Sequence, residues 1–137
     1  MKISPIGVLY ALGKINKLEM VNICTNISKM THGDQRAIIS TIIHCNLIKK
    51  IYYGPSYSRF KEYLRFSSLI SLGLEDVSYN ECLRYKLAQI PYFSNTTDIV
   101  KTFGTGPFIN ESLTFTYAMV HKYLDNLERC LENIVNQ

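Results

Sequence analysis

Apolar positions over the first fifty residues recur at helical intervals in three short runs. Ile6, Leu9, Tyr10 and Leu12 make the first stripe, which ends near Gly13. Ser4 can cap this run, and Pro5 suits the first helical position. Leu18, Val21, Cys24 and Ile27 repeat every third residue as the predicted buried face of a second helix. Asn16 and Glu19 supply an N-x-x-E cap for it, and Ser28-Lys29-Met30 reads as a short turn. Thr31 with Asp34 opens a third helix, with Ile38, Thr41, Ile42 and Cys45 on one face. Asn46 fits the left-handed position after that helix, with Leu47 folding back over its last turn.

The period then shortens to two. Leu47 to Tyr53 is rich in β-formers and stops at Gly54-Pro55-Ser56, a turn signal. In Arg59 to Phe66 one face carries Phe60, Leu64 and Phe66, and the other carries Arg59, Lys61, Tyr63 and Arg65. The pattern predicts a β-hairpin with an apolar side against three helices and a basic side toward solvent. Helix, helix, helix, strand, turn, strand is the order of a winged helix-turn-helix. The expected fold class is therefore mainly α with a small β-hairpin (α+β), in residues 1–70, followed by a helical region in residues 71–137.

In the second half, Ser78 and Glu81 form an S-x-x-E capping box for a helix that must end before Pro91. Asp98 to Phe103 suits a short helical piece stopped by Gly104, and Gly104-Thr105-Gly106-Pro107 is a loop. The clearest helix is the last one, with Asn110 as its cap and Glu111 at the positive end of its dipole. Leu113, Tyr117, Val120, Leu124, Leu127, Leu131 and Ile134 alternate in steps of four and three, a seam of coiled-coil type. A seam of this length is buried either against its own domain or against a second copy. Of the two, a homodimer is expected, with these seven residues as its interface.

Charge sharpens the picture. Residues 1–70 hold ten Lys or Arg against three acidic residues, a net of +7, whereas residues 71–137 hold five against eight, a net of −3. A basic half joined to a mildly acidic half suits an anion-binding module attached to an assembly module. No run reaches the ~18 apolar residues of a membrane span. Lys2 with Ile3 to Leu12 imitates a signal peptide, but Pro5, Gly7 and the missing small-x-small site argue against one, so a cytoplasmic protein is expected. Cys24, Cys45, Cys82 and Cys130 lie 21, 37 and 48 residues apart, without a C-x-x-C pair, and read as buried free thiols.

The run Asn46-Leu47-Ile48-Lys49-Lys50-Ile51, the Gly-Pro turn and Phe60 to Phe66 resemble the recognition-helix exit and wing of MarR-, ArsR- and PadR-type regulators. In those families a glycine stands where this chain has Asn46. The abundance of Ile, Lys, Asn, Ser and Tyr also resembles the composition of archaeal or archaeal-viral proteins. The resemblance covers about half of the chain and implies double-stranded DNA as partner, with the third helix in the major groove and the wing on phosphates.

Placed on that geometry, Gln35, Arg36, Ile39, Ser40 and Ile43 point outward from the third helix, with His32 and Asp34 at its tip. Arg36 is positioned to read guanine and Gln35 adenine, Ser40 a phosphate or base, and Ile39 a thymine methyl. Arg59, Lys61 and Arg65, with Lys49 and Lys50 on the opposing strand and Tyr63 between them, would neutralise phosphates. One arginine, one aspartate and two outward isoleucines match DNA poorly, which keeps a second reading open: a protein-interaction subunit of a larger nucleic-acid machine, using the Ile39/Ile43 face. A third, ligand-sensing reading needs a pocket lined by Tyr79, Tyr85, Tyr92 and Phe93. No catalytic motif, cofactor fingerprint or metal-ligand spacing is present, and His32, His44 and His121 are far apart. The sequence therefore predicts a dimeric, non-enzymatic transcriptional regulator without cofactor or metal.

Overall fold

The computed structural model describes residues 3–53, 81–123 and 125–136, and these form helices, turns and loops with no strand among them. The described residues fall into two compact units, one before and one after residues 54–80 in the chain. The domain boundary expected at 70–71 lies outside the described residues.

The first unit holds α1 (Ser4–Ala11), α2 (Lys17–Thr31) and α3 (Gln35–Tyr53). Pro5 sits in the first turn of α1 as expected, but Ile3 occupies the cap position, and the Ser4 hydroxyl is instead 3.1 Å from His44 Nε2. The start of α2 follows its sequence signal closely. Asn16 Oδ1 accepts from the Glu19 amide at 3.0 Å, while Glu19 Oε2 accepts from the Asn16 amide at 2.7 Å, so two otherwise orphaned donors are satisfied reciprocally. The segment Ser28-Lys29-Met30 belongs to the last turn of α2, not to a loop. The buried face of α2 is Met20, Cys24 and Ser28, with Val21 and Ile27 half-buried, and Leu18 is exposed.

α3 is the centre of this unit and packs against both α1 and α2. Ile38, Ile42 and Cys45 join Ile3, Tyr10, Met20 and Cys24 in one core. Ala37, Ile39, Ser40, Ile43, Asn46 and Leu47 are buried as well, so α3 is enclosed around its circumference from Ala37 to Leu47. Each aliphatic side chain fully removed from water contributes on the order of 2 kcal/mol. That burial, more than local propensity, holds the helix.

The predicted winged helix is overturned here. Leu47 to Tyr53, expected as the first strand of the wing, forms the last turns of α3. Asn46 does not end the helix in a left-handed conformation: it is buried within α3, and no non-glycine among the described residues has positive φ. The reason is tertiary. A short apolar run does not distinguish strand from helix by periodicity alone. In the helical form Ile48 lies against α1 at Gly7, a contact that favours continuing the helix. Arg59 to Phe66, the expected second strand, lies outside the described residues.

The second unit holds α4 (Glu81–Gln89), a 3₁₀ turn at Ile90–Tyr92, α5 (Thr96–Phe103), α6 (Ile109–Lys122) and α7 (Leu127–Val135). α6 is its hub, in contact with α4, the 3₁₀ turn, α5 and α7. Leu83, Leu87, Ile90, Ile99, Phe103, Phe115, Tyr117 and Met119 are buried, and the Phe93 and Phe103 rings meet edge-to-face at 5.3 Å. Pro91 and Gly104 end their helices where expected, whereas Phe108, not Asn110, occupies the cap of α6.

The single long final helix is also corrected. It breaks after Lys122, and Asn126 starts α7 by accepting the Arg129 amide at 2.9 Å. Asp and Asn compete with helix continuation by binding nearby backbone, which an apolar heptad count does not register.

Gly7 gives a direct test of the α1–α3 contact. A Cβ there would lie 2.6 Å from Ile48 Cδ1 and 3.2 Å from Cys45 Cα. Gly7→Ala gains roughly 1 kcal/mol of helix propensity but must push the helices apart. A net loss of about 1–2 kcal/mol in urea unfolding is expected, and unchanged or greater stability would show that the helices are not in close contact.

Candidate nucleic-acid interface

The corner between α2 and α3 is a helix–turn–helix with a three-residue turn, His32-Gly33-Asp34. Gly33 has φ +61°, a left-handed conformation that glycine adopts without Cβ strain. The amides of His32 and Gly33 both donate to the Ser28 carbonyl, at 2.9 and 3.1 Å, and close the end of α2. His32 is exposed, with Nδ1 2.8 Å from the Thr31 hydroxyl.

Asp34 then starts α3. Its Oδ1 accepts from the Arg36 amide at 2.7 Å and from Arg36 Nε at 2.9 Å, and Oδ2 accepts from Arg36 Nη2 at 2.6 Å. These hydrogen bonds from Arg36 hold the Asp34 carboxyl down at about 2. The guanidinium predicted to read guanine is thus engaged by a carboxylate two residues away. Gln35 beside it is exposed.

Beyond this first turn the expected reading face is absent. Ile39 and Ser40 are 0% exposed and Ile43 is 1% exposed, so these side chains do not point outward. The cause is the enclosure of α3. A recognition helix needs one open face, but from Ala37 to Leu47 every residue is buried except His44, which is half-buried. Burial holds the His44 imidazole below its ordinary value, toward the neutral form. The same enclosure removes the Ile39/Ile43 face as a docking surface for a protein partner.

The remaining sequence-predicted residues are scattered. Lys49 is half-buried, with its ammonium 3.7 Å from the centroid of the Tyr10 ring, a cation–π contact between α3 and α1. Lys50 is exposed near the end of α3. Arg59, Lys61, Tyr63 and Arg65 lie outside the described residues. Lys14, Lys17 and Lys29 were not singled out from the sequence, yet each is exposed or half-buried on this unit. Their signal was the bulk charge of the amino-terminal half, which gives no positions.

Of the predicted dimer seam, Tyr117 is buried and Leu113, Val120 and Ile134 are half-buried, whereas Leu127 and Leu131 are exposed. Leu124 lies outside the described residues. Among the described residues no group of three His, Cys, Asp or Glu could hold a metal ion, and no helix is long and apolar enough to cross a membrane. Of the aromatic residues expected to line a pocket, Tyr85 and Tyr92 are exposed and Phe93 packs on Phe103, and Tyr79 lies outside the described residues.

Ser40 separates a buried core position from a DNA contact. Its hydroxyl is buried without a hydrogen-bond partner among the described residues. Ser40→Ala is therefore expected to leave stability unchanged or raise it by up to about 1 kcal/mol, and to leave any DNA affinity unaltered. A selective loss of DNA affinity in a fully folded Ser40→Ala protein would put this side chain at the interface after all.

Comparison with protein-family models, with curated proteins and with solved structures finds no match for this chain.

Proposed function

We propose that this chain is a non-enzymatic protein that binds double-stranded DNA through the phosphate backbone, using the cationic surface of its amino-terminal helix–turn–helix unit. The observation that carries this reading is charge balance. Residues 3–53 contain Lys14, Lys17, Lys29, Arg36, Lys49 and Lys50 against only Glu19 and Asp34. Glu19 is committed to capping α2, and Asp34 is committed to Arg36. Over residues 3–53 a polyanion meets an excess of cations, and counterion release makes such binding strongly salt-dependent.

The enclosure of α3 argues for phosphate contacts over base reading. Among the described residues of the turn and α3, exposure is confined to the corner, where His32 and Gln35 lie, and to the helix end from Lys50 to Tyr53. Binding of this kind positions a protein on a duplex with little sequence preference. It fits an architectural or assembly role on DNA better than recognition of one operator.

Pairing with a second copy is the other part of the reading, and it rests on α7. Leu127, Leu131 and Val135 are 71%, 53% and 80% exposed. They follow one another at intervals of four along one short helix, a stripe that a matching helix can cover. A nine-residue helix is only about 13 Å long, so the shared surface falls below the roughly 1,200 Å² of a stable complex and the dimer is weak.

Two measurements test these claims. Fluorescence anisotropy with unrelated duplexes should give similar affinities that fall steeply with salt. Lys14→Ala and Lys29→Ala should each weaken binding to every duplex and flatten the log–log salt slope by about 1. Absence of binding at low salt rejects the reading, and strong preference for one duplex rejects its phosphate basis. For the dimer, light scattering should show mass rising with protein concentration, and Leu131→Glu should abolish the rise. A monomer throughout the submillimolar range would exclude α7 as a self-association surface.

A further inference from the structure

Cys24 of α2 and Cys45 of α3 are free thiols with no exposed surface, 21 residues apart in sequence, and their Sγ atoms are 3.6 Å apart. They occupy facing positions where the two helices already pack. One helical turn further along α2, Ser28 Oγ meets Thr41 Oγ1 of α3 at 3.3 Å. The small side chains at both levels let the helices approach and bring the two sulfurs into contact.

From this geometry we propose that Cys24 and Cys45 are a redox-active dithiol that closes to a disulfide and staples α2 to α3. An S–S bond is about 2.05 Å long, so closure asks each sulfur to move by under an ångström, within reach of a small χ1 rotation. The oxidant is a low-molecular-weight disulfide. The Cys24 thiolate attacks one of its sulfurs, forming a mixed disulfide and releasing one thiolate. The Cys45 thiolate then attacks Cys24 Sγ and releases the second, so that two electrons and two protons leave the protein for the oxidant, which ends as two thiols.

The two cysteines are not equivalent. The hydrogen bond from Cys45 favours the Cys24 thiolate, while the contact with Cys24 and burial push the Cys45 thiol up. Either sulfur can attack and the other resolve, and the hydrogen bond from Cys45 favours Cys24 in the first role. Both are sealed in the core, so exchange proceeds through opening of α2 from α3 and is slow. The position of equilibrium is the informative quantity.

The full-length protein, held anaerobically to equilibrium in graded oxidised and reduced glutathione, would be unfolded in an alkylating agent and mapped by peptide mass. The expected product is a peptide pair joined through Cys24 and Cys45, two hydrogens lighter than the thiols. The oxidised protein should melt about 10 °C higher, as for a 21-residue loop closed in a chain of this size, and dithiothreitol should reverse the shift. Cys45→Ser should lose the cross-link and leave glutathione attached at Cys24. Wild-type mapping decides the matter if that variant does not fold. Alkylation of both residues at the most oxidising ratio, or cross-links only to Cys82 or Cys130, would overturn the proposal.

Discussion

The enclosure of α3 is the constraint on which the amino-terminal unit depends. Its residues Ala37 to Leu47 are buried on nearly every side, so the helix is a core element and not a surface one. α1 reaches it because Gly7 has no side chain to hold Ile48 and Cys45 away. α2 reaches it because Cys24 and Ser28 are small where they face Cys45 and Thr41. Close approach of three helices brings dense packing on the side of α3 that carries Ile38, Ile42 and Cys45.

Ser28 and Thr41 inside this packing are satisfied locally, unlike Ser40. The Thr41 hydroxyl donates to the Ile38 carbonyl at 2.7 Å, which leaves Ser28 to donate to Thr41. Burial biases His44 toward the neutral form beside Ser4. The second unit follows the same logic around α6, where Lys122 donates to the Thr96 hydroxyl at 2.9 Å and that hydroxyl also meets the Tyr123 phenol at 2.8 Å. Lys86 donates to the Phe103 carbonyl, at the end of α5. In both units one central helix collects the apolar faces, and short polar contacts tie the shorter helices to it.

The consequence for chemistry is that charge is confined to the rim. At the helix–turn–helix corner Arg36 is matched by Asp34, so the corner is close to neutral. The lysines are distributed over α2, α3 and the turn after α1. The proposed hold on a polyanion rests on summed electrostatics and calls for no fixed pairs of donors of the kind that distinguish one base from another.

Part of the caps and stops was legible in the residues themselves, although Ser4 and Asn110 do not cap their helices. Asn16 with Glu19, Pro5, Pro91 and Gly104 act where their local chemistry says they should, because a cap or a breaker needs only its own neighbours. Three helices before residue 54 and a thiol-bearing core were legible for the same reason. What the local pattern could not decide was which of two satisfying structures would be rewarded by contact. Leu47 to Tyr53 alternates well enough for a strand, but its helical form places Ile48 on α1. The final heptads read as one helix until Asn126 caps a new one. Ile39, Ser40 and Ile43 lie outside the amphipathic stripe of α3, and only the assembled fold buries that side too. The chain by itself determined that the start of α2 is capped, where Pro91 and Gly104 stop a helix, and where its charge lies. The tertiary structure decided which surfaces remain to meet a partner, because exposure belongs to the packed molecule and not to any residue in it.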